Sequence, residues 1–125
     1  MLLDTNIAVD ALRRFPPAVA YLRTAEQQGT LSLSLPAQME LIIGCCNAAE
    51  LRRLRAFLER FEICALSATI GGTAVDLIYQ YRLSHGLLLA DALIAATALE
   101  YEETLYTKNV RHFRMIPALT VVRPY

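Results

Sequence analysis

The chain opens with Leu2-Leu3-Asp4-Thr5-Asn6, a short apolar run that is broken off by an acid. The run predicts a strand over residues 1–3, and the pattern after it predicts a helix over residues 5–14 that ends before Pro16-Pro17. In parallel sheets, functional side chains gather beyond the carboxyl ends of the strands. The opening stretch therefore predicts both a strand of an α/β sheet and a candidate functional position at Asp4.

The rest of the chain alternates in the same way between extended apolar runs and helical patterns. This alternation predicts an α/β fold, and the length predicts one domain over residues 1–125, with a central parallel sheet of about five strands flanked by helices. Further strands are predicted at residues 31–35, 63–66, 104–107 and 119–122, and further helices at residues 17–28, from Pro36 to Gly44–Asn47, and at 48–61, 67–82 and 89–101.

Three carboxylates stand inside or at the end of apolar runs that contain no lysine or arginine: Asp4, Glu40 and Asp91. A carboxylate beside core residues is costly to desolvate unless a positive group meets it. The pattern therefore predicts a divalent cation and points to metal-assisted cleavage of a phosphodiester. Ordinary structural roles stay open for each acid, namely a helix cap at Asp4 or Asp91 and a solvent-facing position at Glu40.

A fourth stretch, Leu105-Tyr106-Thr107-Lys108-Asn109, ends another predicted strand. Asp4 and Asn109 should then lie at the same edge of the sheet although 105 positions separate them. Thr107 and Asn109 could orient water or a phosphate, or serve as turn residues. Lys108 and Arg111 could bind phosphate, and His112 is expected to be structural or solvent-facing.

Composition limits the classes of function. The formal net charge is zero, which argues against a protein that binds nucleic acid nonspecifically over its whole surface. All of the 12 basic residues except Lys108 are arginine, whose planar guanidinium suits phosphate recognition. No apolar run reaches the roughly 18–20 residues that span a bilayer, and no secretory signal is visible, so we expect a cytoplasmic protein that does not enter membranes. The 55% hydrophobic content then favours a protein partner or a self-interface.

Other chemistries have little support. Three cysteines without C-x-x-C spacing do not predict a disulfide framework or a zinc site. No serine–histidine or cysteine–histidine pair can be placed at a strand end, and the glycine-rich phosphate-binding fingerprints are missing.

The order and spacing of four blocks resemble those of the PIN-domain ribonucleases, and most closely the VapC-type toxins of toxin–antitoxin pairs. The blocks are Leu3-Asp4-Thr5-Asn6, Glu40-Leu41-x-x-Gly44, Asp91-Ala92-x-Ile94-Ala95-Ala96-x-Ala98 and Thr107-x-Asn109-x-x-His112-Phe113. The resemblance covers essentially the whole chain.

The resemblance implies an Mg²⁺- or Mn²⁺-dependent endoribonuclease that forms homodimers and is blocked by a cognate antitoxin protein. Asp4, Glu40 and Asp91 match the acidic metal-binding residues of the family. Asn109 matches a fourth position that is often acidic, and Thr107 matches a residue that supports it. This chain departs from the family in carrying an amide at Asn109, which suits one metal better than two.

Two other interpretations stay open on sequence grounds. A PIN-like binding module without strong catalysis would use its apolar surface to hold a partner. A phosphoacceptor receiver domain also places acids, a threonine and a lysine at strand ends, but it expects paired acids after the first strand, where this chain has Asp4-Thr5-Asn6.

Overall fold

A computed structural model of the chain describes residues 1–125, and it confirms the α/β fold. Five parallel strands form one sheet and six helices flank it. The strands are β1 Leu2–Leu3, β2 Ser32–Ser34, β3 Glu62–Cys64, β4 Leu105–Tyr106 and β5 Val121–Val122, and the helices are α1 Thr5–Leu12, α2 Pro16–Gln28, α3 Leu35–Ile43, α4 Ala48–Leu58, α5 Ala68–His85 and α6 Leu89–Glu100.

The order of strands across the sheet is β3-β2-β1-β4-β5. From β1 the chain builds outward through β2 to β3, and it then crosses to the other side of β1 to form β4 and β5. The direction of winding thus changes between β1 and β4, where Leu3 pairs with Tyr106. A crevice opens at such a switch point outside the carboxyl ends of the strands, and the residues that follow β1 and β4 line it.

Helices cover both faces of the sheet, so the protein has two hydrophobic cores. Successive residues of a strand point to opposite faces. Accordingly, Leu2 packs into the core under α5 and α6, while Leu3 packs into the core under α1, α2 and α3, and both side chains are fully buried. The two-residue strand that precedes Asp4 is therefore anchored on both sides.

Helix α6 meets the expectation of a buried helix. Its residues from Ala92 to Ala98 are buried except for the half-buried Leu93, and α6 packs along α5. This burial fixes the position of the helix start, which carries Asp91.

Several predicted boundaries need correction. Helix α1 ends at Leu12 rather than at residue 14, because Arg14 turns into the left-handed region with φ of 60°. Helix α5 continues to His85 rather than stopping at Arg82, since the chain reverses only at Gly86, whose φ is 67°. Strand β3 is Glu62–Cys64 rather than residues 63–66, because its register is set by pairing with β2. None of the helices is both long and apolar enough to cross a bilayer.

Candidate functional site

Asp4 and Thr107 meet at the switch point between β1 and β4. Asp4 follows β1, caps α1 and accepts a hydrogen bond from the backbone N–H of Thr5 at 2.7 Å. The buried Thr107 follows β4 and donates its hydroxyl to the other carboxylate oxygen of Asp4 at 2.6 Å. The predicted cap and the predicted site position are thus one and the same residue.

Asn6 ties these two residues to the chain after β4. Its side-chain N–H₂ lies 3.3 Å from both Asp4 Oδ2 and Thr107 Oγ1, and its amide oxygen accepts from the backbone N–H of Lys108 at 3.4 Å. The backbone N–H of Asn109 donates to Thr107 Oγ1 at 3.0 Å. One hydrogen-bond network therefore holds the two stretches that the sequence placed at the same edge.

Glu40 reaches the crevice from α3. This helix starts at the end of β2, where Ser34 caps it and accepts from the backbone N–H of Ala37. Glu40 lies in the second turn on an exposed face, and Thr5 donates its hydroxyl to Glu40 Oε1 at 3.0 Å. Glu40 is exposed, as the solvent-facing alternative predicted. Its carboxylate nevertheless accepts a hydrogen bond from Thr5, the residue that follows Asp4.

Asp91 stands in the first turn of α6, but it does not cap the helix. The cap position is Leu88, which has no capping side chain. The side-chain partner of Asp91 is instead His112, whose Nδ1 lies 3.3 Å from Asp91 Oδ2. His112 belongs to a short 3₁₀ helix, Val110–His112, directly after the β4 loop. It is partly exposed, as expected, and it contacts a candidate site residue, which was not expected.

The three predicted acids line a single open cavity of about 380 Å³. None of them forms an ion pair with a lysine or arginine. The full lining is Asp4, Thr5, Asn6, Val9, Asp10, Arg13, Glu40, Asp91, Lys108 and Asn109.

Burial and mutual repulsion disfavour the ionised form of the Asp4 and Asp91 carboxylates in this cavity. Burial raises the pKa of Asp4, and the charge of Asp91 raises it further, against the hydrogen bonds from Thr107 and Thr5. Burial likewise raises the pKa of Asp91, with the charge of Glu40 acting in the same direction and His112 opposing both. A cation bound among the carboxylates would remove this repulsion.

The donor set fits a hard divalent cation, because it consists of carboxylate oxygens. No three histidine, cysteine, aspartate or glutamate side chains stand close enough together to enclose a bare ion. Mg²⁺ does not need such a cage, since it keeps several waters and makes direct contact with only one or two carboxylates. The arrangement therefore suits a hydrated ion.

The structure brings together most, but not all, of the predicted substrate-binding residues. Lys108 and Asn109 line the cavity, while Thr107 lies beneath it as a support for Asp4. Arg111 is exposed and outside the cavity lining.

Sequence reasoning assigned no site role to Asn6, Asp10, Arg13 or His112. The first three lie at helical spacing along α1 directly after Asp4, which is a signal that could have found them.

Asp91→Asn is expected to raise the melting temperature of the protein in EDTA. The folded-state pKa of Asp91 lies above its ordinary value, so at neutral pH the ionised side chain destabilises the fold, and a neutral isostere removes that penalty. In a domain of this size 1 kcal/mol corresponds to about 3–6 °C. Differential scanning calorimetry with and without Mg²⁺ checks this prediction. A melting temperature below that of the wild type in EDTA would show that the ionised carboxylate stabilises the metal-free fold.

Comparison with known proteins gives a consistent family assignment. A family model described as the PIN domain matches residues 1–118. A curated relative from Mycobacterium tuberculosis, Ribonuclease VapC19, is 38% identical over 120 residues, which cover 94% of this chain and 95% of the relative. Ribonuclease VapC10 from the same species is 35% identical and covers 95% of this chain and 90% of its own length.

Solved structures agree over nearly the full length. A toxin–antitoxin complex from Klebsiella pneumoniae contains a chain that superposes with a TM-score of 0.80 at 32% identity, covering 99% of this chain and 97% of the other. VapBC2 from Rickettsia felis, bound to a DNA fragment from its promoter, gives a TM-score of 0.79 at 27% identity and covers 97% and 96% of the two chains.

Proposed function

The chain belongs to the PIN-domain family, and from this premise we propose that it is a metal-dependent endoribonuclease, the toxin of a type II toxin–antitoxin pair. The observation that carries the proposal is the convergence of Asp4, Glu40 and Asp91 on one cavity without any lysine or arginine partner. The names of the curated relatives support RNA as the substrate.

Asp4, Glu40 and Asp91 would hold Mg²⁺, or Mn²⁺ in its place, beside the scissile bond. A divalent cation bound there supplies polarisation of the phosphodiester and activation of water for in-line attack. Thr107 and Asn6 fix the orientation of the Asp4 carboxylate through their hydrogen bonds.

The remaining predicted residues would act on the substrate. Asn109 lies in the cavity lining, where its side-chain amide can hydrogen-bond to a phosphate or to water. Lys108 also lines the cavity and offers a positive charge to the RNA backbone. Arg111, outside the cavity, would contact a neighbouring phosphate of a longer substrate.

Exposed apolar side chains favour protein partners. Tyr79 and Leu83, one turn apart on α5, are 86% and 100% exposed, and Ile43 on α3 is 82% exposed. We assign these surfaces to a homodimer contact and to a cognate antitoxin, in line with the toxin–antitoxin complexes among the structural relatives. The protein would act in the cytoplasm, where its RNA substrate is found.

The decisive experiment is cleavage of purified RNA by the wild-type protein with Mg²⁺, with Mn²⁺ and with EDTA. We expect endonucleolytic products with either metal and none with EDTA. Cleavage that continues unchanged in EDTA would refute the metal dependence, and no cleavage under any condition would refute the nuclease.

One observation favours a second candidate, a binding module without strong catalysis. The carboxylates do not form a ready-made metal cage, and the fourth family position is the amide Asn109. This candidate predicts that the protein binds neither Mg²⁺ nor Mn²⁺ at millimolar concentration, whereas the nuclease must bind one of them.

A further inference from the structure

A second ionic network adjoins the three acids in the same cavity. Asp10 lies one turn after Asn6 on α1, and its Oδ2 accepts from Lys108 Nζ at 2.5 Å and from the Tyr125 hydroxyl at 2.9 Å. The Asp10 side chain is only 16% exposed. Asp10 is thus a fourth carboxylate in the cavity wall, but unlike the other three it is paired with a lysine.

The same network holds Lys108 at three points. Its backbone N–H donates to Asn6 Oδ1 at 3.4 Å, its carbonyl accepts from Arg123 at 2.9 Å, and its ammonium is bound to Asp10. A free lysine side chain would lose rotamer entropy when it binds a ligand, and restraint before binding reduces that loss.

Tyr125 is itself held in place by aromatic packing. Its ring centroid lies 6.0 Å from that of Phe15 and 6.3 Å from that of Tyr21, both in edge arrangements. Burial acts to raise the pKa of Asp10, but hydrogen bonds from Lys108 and Tyr125 outweigh it, so the pKa of this carboxyl lies below its usual range. Asp10 is therefore ionised at neutral pH and remains paired with the ammonium.

We propose that Asp10 and Tyr125 are positioning residues that hold the Lys108 ammonium in the cavity lining to receive a phosphate of the RNA backbone. A lysine ammonium has three N–H donors, so the bond to Asp10 leaves two for phosphate oxygens. The inference rests on the proposed function for its substrate class, and it assigns roles to two residues outside the carboxylate set.

The sign of one substitution separates positioning from simple charge repulsion. Removing a negative charge from the cavity by Asp10→Asn should tighten RNA binding if Asp10 only repels the substrate. If Asp10 positions Lys108, the same change should weaken binding. The asparagine keeps an acceptor for Tyr125, so packing at this position is preserved.

The test measures binding of a labelled single-stranded RNA to the Asp91→Asn protein in EDTA, by fluorescence anisotropy over a range of salt concentrations. We expect Asp10→Asn and Tyr125→Phe to raise the Kd about 3- to 10-fold, which corresponds to the net contribution of one ordinary hydrogen bond, because both residues act on the RNA only through Lys108. Lys108→Met should weaken binding and lower the log–log salt slope by about 0.7, the contribution of one phosphate contact on a single strand.

Tyr21→Phe is the matched control. It removes a hydroxyl from the same aromatic group, but the Tyr21 hydroxyl faces Met1 rather than Asp10. We expect its Kd to equal that of the parent, and melting temperatures establish that each variant is folded. If Asp10→Asn does not fold, the Kd values of Tyr125→Phe and Tyr21→Phe decide whether the network positions Lys108.

The inference would be overturned if Asp10→Asn bound RNA as tightly as the parent or more tightly. It would also be overturned if Tyr125→Phe and Tyr21→Phe had equal effects on the Kd. Cleavage by the wild-type protein is followed in parallel. If the wild type cleaves no RNA but the expected binding pattern holds, the nuclease proposal fails and the positioning role stands. If it cleaves RNA while the binding pattern does not appear, only the positioning role fails.

Discussion

Asp91→Asn is expected to lower the rate of RNA cleavage at least about 100-fold, more than the 10- to 100-fold typical for loss of a residue that only supports a metal ligand. The substitution keeps the shape of the side chain and an acceptor for His112, but it removes one of three negative charges that would hold the cation. Initial cleavage rates at saturating Mg²⁺ give the measurement. The loss should accompany the higher melting temperature in EDTA described above, so unfolding cannot account for it.

Asp76→Asn provides the control for this prediction. Asp76 is exposed on α5 and does not line the cavity, so removal of its charge should leave cleavage within about two-fold of the wild type. Equal activity of Asp91→Asn and the wild type would remove Asp91 from the proposed site.

Thr107→Val is expected to reduce cleavage about 10- to 100-fold, although Thr107 does not line the cavity. The buried hydroxyl donates to Asp4 Oδ2 at 2.6 Å and accepts from the backbone N–H of Asn109 at 3.0 Å. Valine has nearly the same shape but neither hydrogen bond, so the Asp4 carboxylate loses its orientation and the Asn109 N–H loses its partner. Cleavage rates and Mn²⁺ affinity should both fall.

Thr107→Ser separates positioning from packing. Serine restores the hydroxyl and removes only a methyl group, so it should recover most of the activity while it loses some stability. If valine and serine at this position gave the same activity, the hydrogen bond to Asp4 would have no role in cleavage.

The sequence was sufficient to predict the parallel sheet and the edge at which Asp4 and Asn109 lie. Leu2 and Leu3 before Asp4 are buried, Leu105 before Thr107 is buried and Tyr106 is half-buried. Two parallel neighbouring strands then end at the same edge of the sheet. The predicted helix starts at Pro36 and at residues 48 and 67 agree with the structure to within one residue. In the structure, Ser34, Asn47 and Ser67 cap these helices.

Helix ends and edge strands were less predictable, because they depend on distant contacts. No local sequence signal distinguishes a strand over Ile63–Leu66 from one over Glu62–Cys64. Pairing with β2 determines which residues form β3. The end of α5 followed from the left-handed conformation of Gly86 rather than from the polar Ser84-His85 before it.

The site shows the same division. That Asp4, Glu40 and Asp91 share one cavity could be predicted, because a carboxylate in an apolar run needs a compensating charge. The partners of the charged residues could not be predicted. His112 reaches Asp91 across the chain, and Tyr125 reaches Asp10 from 115 positions away, so only the folded arrangement reveals these pairs.

The most direct test of the account is Mn²⁺ binding to the metal-free protein, measured by titration calorimetry for the wild type and for Asp4→Asn, Glu40→Gln and Asp91→Asn. A single cation site built from three separate elements predicts saturable binding by the wild type and an affinity about 10-fold or more lower in every one of the three variants. If the wild type bound no Mn²⁺, or if all three variants bound it as tightly as the wild type, these carboxylates would not form a cation site.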